Sequence, residues 1–574
     1  MSQEAVPFPL IPPTAAPEDA PTEAAKPARS FVHHAKLISL LTLGSRVLGV
    51  VRESLAARYF GAGLVSTAFT TAFTLPNLFR RLFGEGALSA AFVPLYSQSL
   101  KQDGTKEANK FAAAAVNLLI VILLTLTVVG ELILFGLSRL TERSDYLLTL
   151  KLAAIMLPYV LLVCGTAFLG AILQVHLRFG VTAAAPIILN IGLIGGTVAG
   201  AYLWDMGTEA GRIRAVYLVC VLVLVAGVLQ VMALVPSLYA VGFRFDLRST
   251  FRTPAIRQML MLSIPVAIGA GVLQLSVVLD RSISYFLAQG LDAQGHVITH
   301  FNLFGEWVRY PLQLGAAPRL WWAQNLYQFP LGVFAIALAT AIFPALSADA
   351  LDADREKFRA GLRRGIKVTL WEGLPASVGL VIVALPAVQI LFEHGRFTAH
   401  DSELVARSLR FYAAAIWAFS LQQIVSKAYY ALQDTRTPLV LSAVTLVLTL
   451  VIEIPLLWTP LAEAGMAAGT AIAFIVQSLL MLWLLHRKIG GLGLSQLGGY
   501  VARILAATGV MALACWLVQR APFFPEDATK HTALVRLSIL IVTGMVSYFG
   551  ACAIFGIGSL EYLLPRRAKP EVGN

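Results

Sequence analysis

Long apolar runs recur along most of this 574-residue chain, and they constrain its fold more than any other feature. A helix needs roughly 20 apolar residues to cross a hydrocarbon core of about 30 Å, and about fourteen runs meet that length. Only 13% of the residues are charged, against roughly 25% in an ordinary soluble domain. The predicted spans are 36–60, 65–97, 110–138, 147–175, 180–204, 213–240, 257–289, 320–348, 366–392, 403–432, 437–458, 462–486, 498–519 and 533–557. We therefore predict an all-α polytopic membrane protein.

The formal net charge of +12 would suggest nucleic acid as a partner if the chain were soluble. In a membrane protein, the positive-inside rule is tested first. With the N-terminus inside, the predicted cytoplasmic segments hold more Lys and Arg than the outer segments, so both termini are predicted to be cytoplasmic. The basic clusters at 244–257 and 355–367 are then expected to face membrane lipids, and no nucleic acid is expected.

About six basic residues remain inside the predicted spans, where a charge costs about 2.5 to 3.5 kcal/mol unless it faces a wet cavity or a partner. Most of them fall in the first two spans. Two lie in the stretch LPNLFRRLFGEGALSAAFVP, residues 75–94, where Pro76 and the glycines interrupt the helix. The full set is Arg46, Arg52, Arg80, Arg81, Arg281 and Lys427.

Arg46 and Arg52 are six residues apart, which on a helix separates them by about 9 Å along the axis and about 120° around it. They can therefore line one broad cavity wall at two depths. The nearby acids are Glu53 and Glu85, so complete pairing still leaves about two uncompensated positive charges. Guanidinium groups bind phosphate oxygens in bidentate fashion, which indicates a phosphate-bearing ligand. An alternative for the pair at 80–81 is that both side chains extend to the bilayer interface.

Two pairs of similar segments recur at nearly the same offset. FVPLYSQSLK (92–101) is similar to IFPALSADAL (342–351), and AILQVHLRFGVTAAAPIILN (171–190) is similar to YALQDTRTPLVLSAVTLVLT (430–449). Their common order predicts two parallel six-helix lobes around a central cavity, with two extra helices appended. The predicted divisions are a disordered cytoplasmic leader at 1–30, an N-terminal lobe at 31–240, a C-terminal lobe at 241–490, and a helix pair with a cytoplasmic tail at 491–574.

Five segments carry a family resemblance: SRVLGVVRESLAARYFGAG, LPNLFRRLFGEGALSAAFVPLYSQ, YQFPLGVFAIALATAIFPALS, LFEHGRFT and ALQDTRTP. They resemble the MurJ (MviN) family of lipid II flippases, within the multidrug, oligosaccharidyl-lipid and polysaccharide exporter group. The resemblance implies a bacterial inner-membrane transporter, not an enzyme. Its substrate would be lipid II, the undecaprenyl-diphosphate-linked disaccharide peptide, moved to the outer leaflet for cell-wall synthesis. It also implies a groove for the prenyl tail at the last two predicted spans, helices 13 and 14 of the family.

The resemblance assigns roles to individual residues. Arg46, Arg52 and Arg80 match family arginines that are implicated in diphosphate binding. Asp280 matches an acid that in some members helps to hold sodium; an alternative for its candidate partner Glu453 is protonation or pairing with a neighbour. The candidate sodium ligands are Asp280, Thr449, Glu453, Met466 through its carbonyl, and Thr470. The residues expected to support the cavity are Asn77, Arg81, Glu85, Arg281, Asn325 and Gln328.

The chain departs from the family pattern in two places. Thr67 stands where members usually carry Asp. In the eighth predicted span, the segment WAQNLYQFP has Gln324 and Asn325 in place of an Asp-Arg pair. One diphosphate contact expected from the C-terminal lobe is therefore missing. Either Arg281 or the Asn325 dipole substitutes for it, or the lobes are coupled differently. The long connection between spans 7 and 8 is predicted to hold an outer amphipathic helix, with Trp307, Tyr310, Trp321 and Trp322 at the interface.

Alternating access is the expected mechanism, reset by the membrane potential or by a bound cation such as sodium, with no other cofactor. We expect a monomer that associates with the cell-wall synthesis machinery. The alternatives are a flippase for another prenyl-diphosphate-linked saccharide, a multidrug exporter, a membrane glycosyltransferase, and a non-transporting scaffold derived from a flippase. An exporter of cationic drugs would carry acids in its cavity, and a glycosyltransferase would need paired carboxylates in its loops. Neither pattern is found in the sequence.

Overall fold

A computed structural model of the protein describes residues 26–84, 87–351, 355–522, 524–525 and 530–557, and these residues are mainly helical. The helices are α1 (Lys26–Phe60), α2 (Leu64–Phe79), α3 (Ala87–Gln102), α4 (Gly104–Leu140), α5 (Ser144–Met156), α6 (Tyr159–Val175), α7 (Gly180–Leu203), α8 (Glu209–Ala240), α9 (Pro254–Phe286), α10 (Ala316–Pro330), α11 (Ile336–Asp349), α12 (Glu356–Phe392), α13 (Ala399–Ala414), α14 (Ile416–Ala431), α15 (Arg436–Leu457), α16 (Glu463–Lys488), α17 (Leu494–Gln519) and α18 (Lys530–Ile554). Two π-helical turns, Arg80–Gly84 and Leu331–Ala335, follow α2 and α10. Four short strands, β1 (Gly290–Leu291), β2 (Val297–Ile298), β3 (His300–Leu303) and β4 (Glu306–Arg309), lie between α9 and α10.

The predicted leader overlaps the first helix. Because α1 begins at Lys26, residues 26–30 are helical, and the prediction of disorder is wrong for them. Residues 1–25 of the leader, and residues 558–574 of the predicted C-terminal tail, lie outside the described residues.

Eight helices of the described chain are long and apolar enough to cross a membrane: α4, α7, α8, α12, α15, α16, α17 and α18. The pairs α5–α6 and α13–α14 each form one further span, bent by 42° at a short break. The helices α1 and α9, of 35 and 33 residues, are also long enough to cross, although they carry charged side chains. Two further helix pairs, α2 with α3 and α10 with α11, have a π-helical turn after their first helix. The protein is therefore all-α and multi-pass, as the apolar runs predict.

The internal repetition seen in the sequence has a counterpart in the backbone. Each π-helical turn leads to a helix that contains a proline, Pro94 in α3 and Pro344 in α11. The bent pairs α5–α6 and α13–α14 occupy equivalent places, and shortly after them Leu177 and Gln433 have positive φ values of 57° and 59°. Because π-helical turns are rare and often mark functional positions, their repetition in both halves argues for a duplicated unit.

Most of the apolar packing lies within each half, although Ile256 and Met259 of α9 belong to the largest cluster, that of the first half, and Ala57 of α1 belongs to a cluster of the second half. The largest buried cluster gathers side chains between Phe60 and Leu291, including the stacked rings of Phe92 and Tyr96. Two other clusters hold the second half, and one of them includes α17 and α18. The Tyr548 hydroxyl of α18 donates a hydrogen bond to the carbonyl oxygen of Trp371 in α12 at 2.7 Å. This bond docks the C-terminal helix pair against the second half.

The two ends of the helix bundle carry different loops. We call one the hairpin end, because the strands lie there with the connections at 61–63, 204–208 and 393–398. The other, the basic end, holds the connections at 176–179, 241–253 and 432–435, with Arg178, Arg244, Arg248 and Arg252. At the hairpin end, the buried Arg319 of α10 pairs with Glu463 of α16 at 2.8 Å and with Asp401 of α13 at 3.4 Å. These ion pairs fix three helices of the second half together.

The connection between α9 and α10 forms two antiparallel hairpins, so the predicted amphipathic helix is wrong. The register pairs His300 with Arg309 and Leu303 with Glu306. Between them, Phe304 and Gly305 both have positive φ, which suits a two-residue hairpin turn. The predicted aromatic interface is also wrong in part, because Tyr310 and Trp322 are buried while Trp307 is exposed.

Candidate functional site

A cavity of about 550 Å³ lies between the two halves of the protein. Its walls come from α1, α2, the first π-helical turn, α6, α7 and α8 on one side and from α9 and α10 on the other. Arg52, Arg80 and Arg81 line it from the first half, and Arg281 lines it from α9. None of the described residues that line the cavity is acidic. The walls therefore carry an excess of positive charge within the helix bundle, where the sequence predicts that Arg52 and Arg80 meet a cavity.

Arg52 is held by a defined set of partners. Its Nη1 atom donates a hydrogen bond to Oδ1 of Asn190 at 2.9 Å, and its Nη2 atom pairs with the Glu53 carboxylate. The Asn190 amide nitrogen in turn donates to the carbonyl oxygen of Ser45 at 3.0 Å. Because Asn190 lies on α7 while Ser45 and Arg52 lie on α1, this chain of bonds fixes where the guanidinium meets the cavity.

Glu53, which lies beside Arg52 but does not itself line the cavity, joins the two halves. It is buried, and its Oε1 and Oε2 atoms accept hydrogen bonds from the indole nitrogens of Trp321 and Trp322, each at 3.1 Å. Both tryptophans belong to α10 in the second half. Nearby at the hairpin end, the amide nitrogen of Arg396 donates to the carbonyl oxygen of Arg58 at 3.0 Å. The halves are therefore in contact at the hairpin end, and a carboxylate beside Arg52 is part of that contact.

Of the other site residues predicted in the first half, some line the cavity and others do not. Arg80 and Arg81 lie in the first π-helical turn, and Asn77, which also lines the cavity, donates from its side chain to the carbonyl oxygen of Phe73 at 3.2 Å. Arg46 is not among the lining residues. It points toward the second π-helical turn, where a methyl group added at Gly332 would lie 2.6 Å from its Nη1 atom. Glu85 lies outside the described residues.

The sequence did not indicate several polar residues of the cavity. Asn190 is one, and Gln230 of α8 is another: its Nε2 atom donates to the carbonyl oxygen of Ala185 at 2.7 Å, and it accepts from the Tyr159 hydroxyl at 3.3 Å. Each is an isolated amide within a long apolar helix. A side-chain amide is unfavourable in lipid, so its presence in an apolar helix is a signal in the sequence that this face of the helix lies inside the protein.

A second cavity of about 160 Å³ lies within the second half and shares Arg281 and Val277 with the first. Gln324 and Gln328 line it. Asn325 lines the larger cavity instead, and its buried amide nitrogen has no hydrogen-bond partner among the described residues. Thr67, at the other departure from the family pattern, is buried and donates to the carbonyl oxygen of Gly63 at 2.8 Å, so it is satisfied within its own helix.

The candidate sodium ligands come from three helices. Asp280 and Thr470 line the second cavity, and the Thr470 hydroxyl donates to Oε1 of the fully buried Glu453 at 2.7 Å. Oδ1 of Asp280 and Oε2 of Glu453 are buried and lack a hydrogen-bond donor among the described residues. Thr449 and Met466 are both 2% exposed. Either a bound hard cation such as sodium or protonation of the carboxyl groups would compensate these buried oxygens.

Known proteins with similar sequences indicate the family of this chain. The family described as "Lipid II flippase MurJ" matches residues 56–523. A protein of Rhizobium meliloti named probable lipid II flippase MurJ is 31% identical over 540 residues, which cover 92% of this chain and 94% of that protein. A Burkholderia cenocepacia protein named lipid II flippase MurJ is 28% identical over 547 residues, which cover 93% and 98% of the two chains.

Two solved structures share the fold. Lipid II flippase MurJ in an inward closed conformation has 24% identity and a TM-score of 0.71, over 91% of this chain and 99% of that chain. An inward-facing multidrug resistance transporter of the MATE family has 14% identity and a TM-score of 0.60, over 79% and 98% of the two chains. The match over most of the length, together with the shared fold, places the chain in a family: it belongs to the lipid II flippase MurJ family.

Proposed function

We propose that this chain flips lipid II, the prenyl-diphosphate-linked peptidoglycan precursor, from the cytoplasmic to the outer leaflet of the bacterial inner membrane. The observation that carries the proposal is the cavity between the halves, which Arg52, Arg80 and Arg81 line without any described carboxylate. A diphosphate would bring negative charge to this basic wall, and its oxygens match the paired N–H donors of guanidinium groups. The names of the relatives support the same substrate.

The cavity reduces the main barrier to crossing. A charged, sugar-bearing head group is costly to move through hydrocarbon, because its ions and hydroxyls lose water without gaining partners. Arg52, Asn77 and Gln230 offer charge and hydrogen bonds along the cavity wall instead. The prenyl tail can remain in lipid or against α17 and α18. The protein then acts as a transporter, since transfer between leaflets makes and breaks no covalent bond.

Alternating access follows from how the halves are joined. Glu53 holds both Arg52 and the two indoles of α10, so it links an arginine of the cavity wall to the closed hairpin end. A diphosphate at Arg52 would compete with Glu53 for the guanidinium group. The ligand would thus have different affinities for the closed and open hairpin ends, which is what a ligand-driven population shift requires.

The positive-inside rule orients the protein with its basic end toward the cytoplasm and its hairpin end outward. Both chain ends then lie on the cytoplasmic side. Arg244, Arg248 and Arg252 would contact the anionic inner leaflet. The two lobes are proposed to span 31–240 and 241–490, and the protein to work as a monomer associated with the cell-wall synthesis machinery.

A monovalent cation at Asp280 and Glu453 is the proposed coupling ion. The donor-free oxygens of these two carboxyl groups support it, together with the hydroxyl groups of Thr449 and Thr470 and the carbonyl of Met466. When bound, the ion would supply charge compensation for two buried carboxylates. The side chains of α9, α15 and α16 would then be held together in one arrangement.

Complementation tests the proposal. In a bacterium depleted of its own flippase, the wild-type chain should restore growth and the exposure of lipid II on the outer face. Arg52→Ala and Arg80→Ala should express normally and fail to restore either. Arg248→Ala, which removes an exposed arginine at the basic end, serves as the matched control. Full rescue by both cavity variants would reject the proposed role of the arginines.

A further inference from the structure

Arg281 lies where the two cavities meet. It belongs to α9, lines both cavities, and is only 7% exposed. The other cavity arginines belong to α1 and the first π-helical turn, on the opposite wall. Arg281 is thus the described cation that the second half contributes to the larger cavity.

The contacts of Arg281 hold its guanidinium group without neutralising it. Its Nη2 atom donates to Oε1 of Gln324 at 2.7 Å, and its Nη1 atom donates to the carbonyl oxygen of Ala317 at 3.3 Å. The guanidinium carbon lies 4.6 Å from the centre of the Trp321 ring. Gln324 is itself fixed, since its Nε2 atom donates to the Tyr412 hydroxyl at 3.1 Å. All of these partners are neutral.

The charge of Arg281 therefore remains available for a ligand. Among the described residues, no carboxylate lies within salt-bridge distance of it. Asp280, at the preceding position, and Glu53, beyond Trp321, are near enough to interact with its charge, but neither forms an ion pair with it. Burying a guanidinium without an ion-pair partner costs several kcal/mol after relaxation, so such groups normally serve an anion. The identity of residue 324 matters here. An aspartate at this position would pair with Arg281 and cancel its charge, whereas glutamine orients the group and leaves the charge intact.

A chain of contacts connects Arg281 to the arginine on the opposite wall. Trp321 stacks on Arg281 and donates its indole N–H to Glu53, and Glu53 pairs with Arg52. A diphosphate between the walls can therefore meet a guanidinium from each half, one for each phosphate group. A ligand that contacts both halves favours the arrangement in which they approach each other.

We infer that Arg281 is the contact of the second half to the diphosphate, and that Gln324 is a positioning residue that orients it without neutralising it. The inference rests on the proposed function and deepens it. The residue that α10 places on the cavity wall at position 325 is the neutral Asn325, so the positive charge of the second half comes from the neighbouring helix α9.

Binding to purified protein in nanodiscs tests the inference, with undecaprenyl diphosphate and undecaprenyl phosphate as probes. Arg281→Gln should weaken binding of the diphosphate by ~10- to 100-fold, the loss expected for a charge-assisted contact, and should lower the preference for diphosphate over monophosphate. Arg281→Gln combined with Asn325→Arg, which moves the cation one helix away, should recover most of the lost affinity. Arg257→Gln, an exposed arginine at the start of α9, is the control and should bind like the wild type.

Gln324→Asp provides a second variant that keeps Arg281 hydrogen-bonded. It should also weaken diphosphate binding by ~10-fold, because the new carboxylate neutralises the guanidinium. If Arg281→Gln does not fold, as judged by thermal unfolding, Gln324→Asp decides the matter. Unchanged affinity and unchanged diphosphate preference in a folded Arg281→Gln or Gln324→Asp protein would overturn the inference. If the wild-type protein itself binds neither probe and flips no lipid II, the proposed function fails instead.

Discussion

The indole nitrogen of Trp322 donates a hydrogen bond to Oε2 of Glu53 at 3.1 Å, and this bond crosses from the second half of the protein to the first. The neighbouring Trp321 donates to the other oxygen of the same carboxylate. Because Glu53 also pairs with Arg52, one side chain connects the closed hairpin end to an arginine of the cavity wall. Events at Arg52 can thereby affect whether the halves remain together.

Removing both indole donors should favour an open hairpin end. The double variant Trp321→Phe, Trp322→Phe keeps aromatic rings in place but deletes two hydrogen bonds to a charged group, each contributing about 1.5 to 3 kcal/mol. Spin labels at the exposed Glu209 and Glu403, one in each half, should show longer distances in the variant. The native cysteines are buried, so labelling is selective. The same distance distribution as in the wild type would contradict this role of Glu53.

Asn190 should determine the orientation of Arg52. Asn190→Leu preserves approximate side-chain size but removes the acceptor at 2.9 Å from the guanidinium, so diphosphate-lipid affinity should fall by ~10-fold. Thr197→Val on the same helix is the control, because the Thr197 hydroxyl donates to the carbonyl oxygen of Leu193 within its own helix. Equal affinity of the Asn190 variant and this control would show that Asn190 does not position Arg52.

The packing of Glu453 depends on a glycine. A Cβ atom at Gly469 would lie 2.4 Å from Cγ of Glu453, so Gly469→Ala should displace the carboxyl group and destabilise the protein by about 1 to 3 kcal/mol. Gly509→Ala in α17, where nothing lies within 4 Å, should be neutral or slightly stabilising. Thermal unfolding in sodium and in choline buffers measures both effects. A sodium-dependent stabilisation in the wild type should be reduced in the Gly469 variant and retained in the Gly509 variant.

A pH-dependent contact lies at the basic end, outside the membrane-spanning segments. Burial raises the pKa of Asp434, but hydrogen bonds from Lys488 and Thr437 outweigh this effect and lower it from 3.8 to about 2. An acid whose folded-state pKa is lowered stabilises the fold above its unfolded-state pKa, and the stabilisation is lost as the pH falls through the folded value. The wild type should therefore unfold at a higher temperature than Asp434→Asn at pH 6, and the difference should vanish near pH 2. A constant difference across this range would contradict the assignment.

Helix positions and the charged wall could be predicted from the sequence, because hydropathy and charge are local properties of the chain. The span predicted at 180–204 corresponds to α7, and that at 366–392 lies within α12. Arg52 and Arg80 line the cavity, as expected from charges that lipid excludes. The hairpins between α9 and α10 were missed, because a few alternating residues near tryptophans resemble an interfacial helix in composition.

Contacts between distant segments could not be predicted in the same way. Arg46 and Arg52 share a helix and a residue type, yet Arg46 faces Gly332 in the second π-helical turn. Only the packing of one half against the other brings that turn close. The partner of Arg52 is likewise Asn190, which is 138 residues away in sequence. The sequence indicates which side chains need partners, and the tertiary structure determines which partners they find.

The preference of the purified protein for a diphosphate lipid tests the central claim most directly. The account predicts that the wild type binds undecaprenyl diphosphate at least ~10-fold more tightly than undecaprenyl phosphate, as expected for an additional charge-assisted contact. The double variant Arg52→Ala, Arg80→Ala should lose that preference. Equal binding of the two lipids by the wild type, or an undiminished preference in a folded double variant, would contradict the claim that these arginines hold the diphosphate.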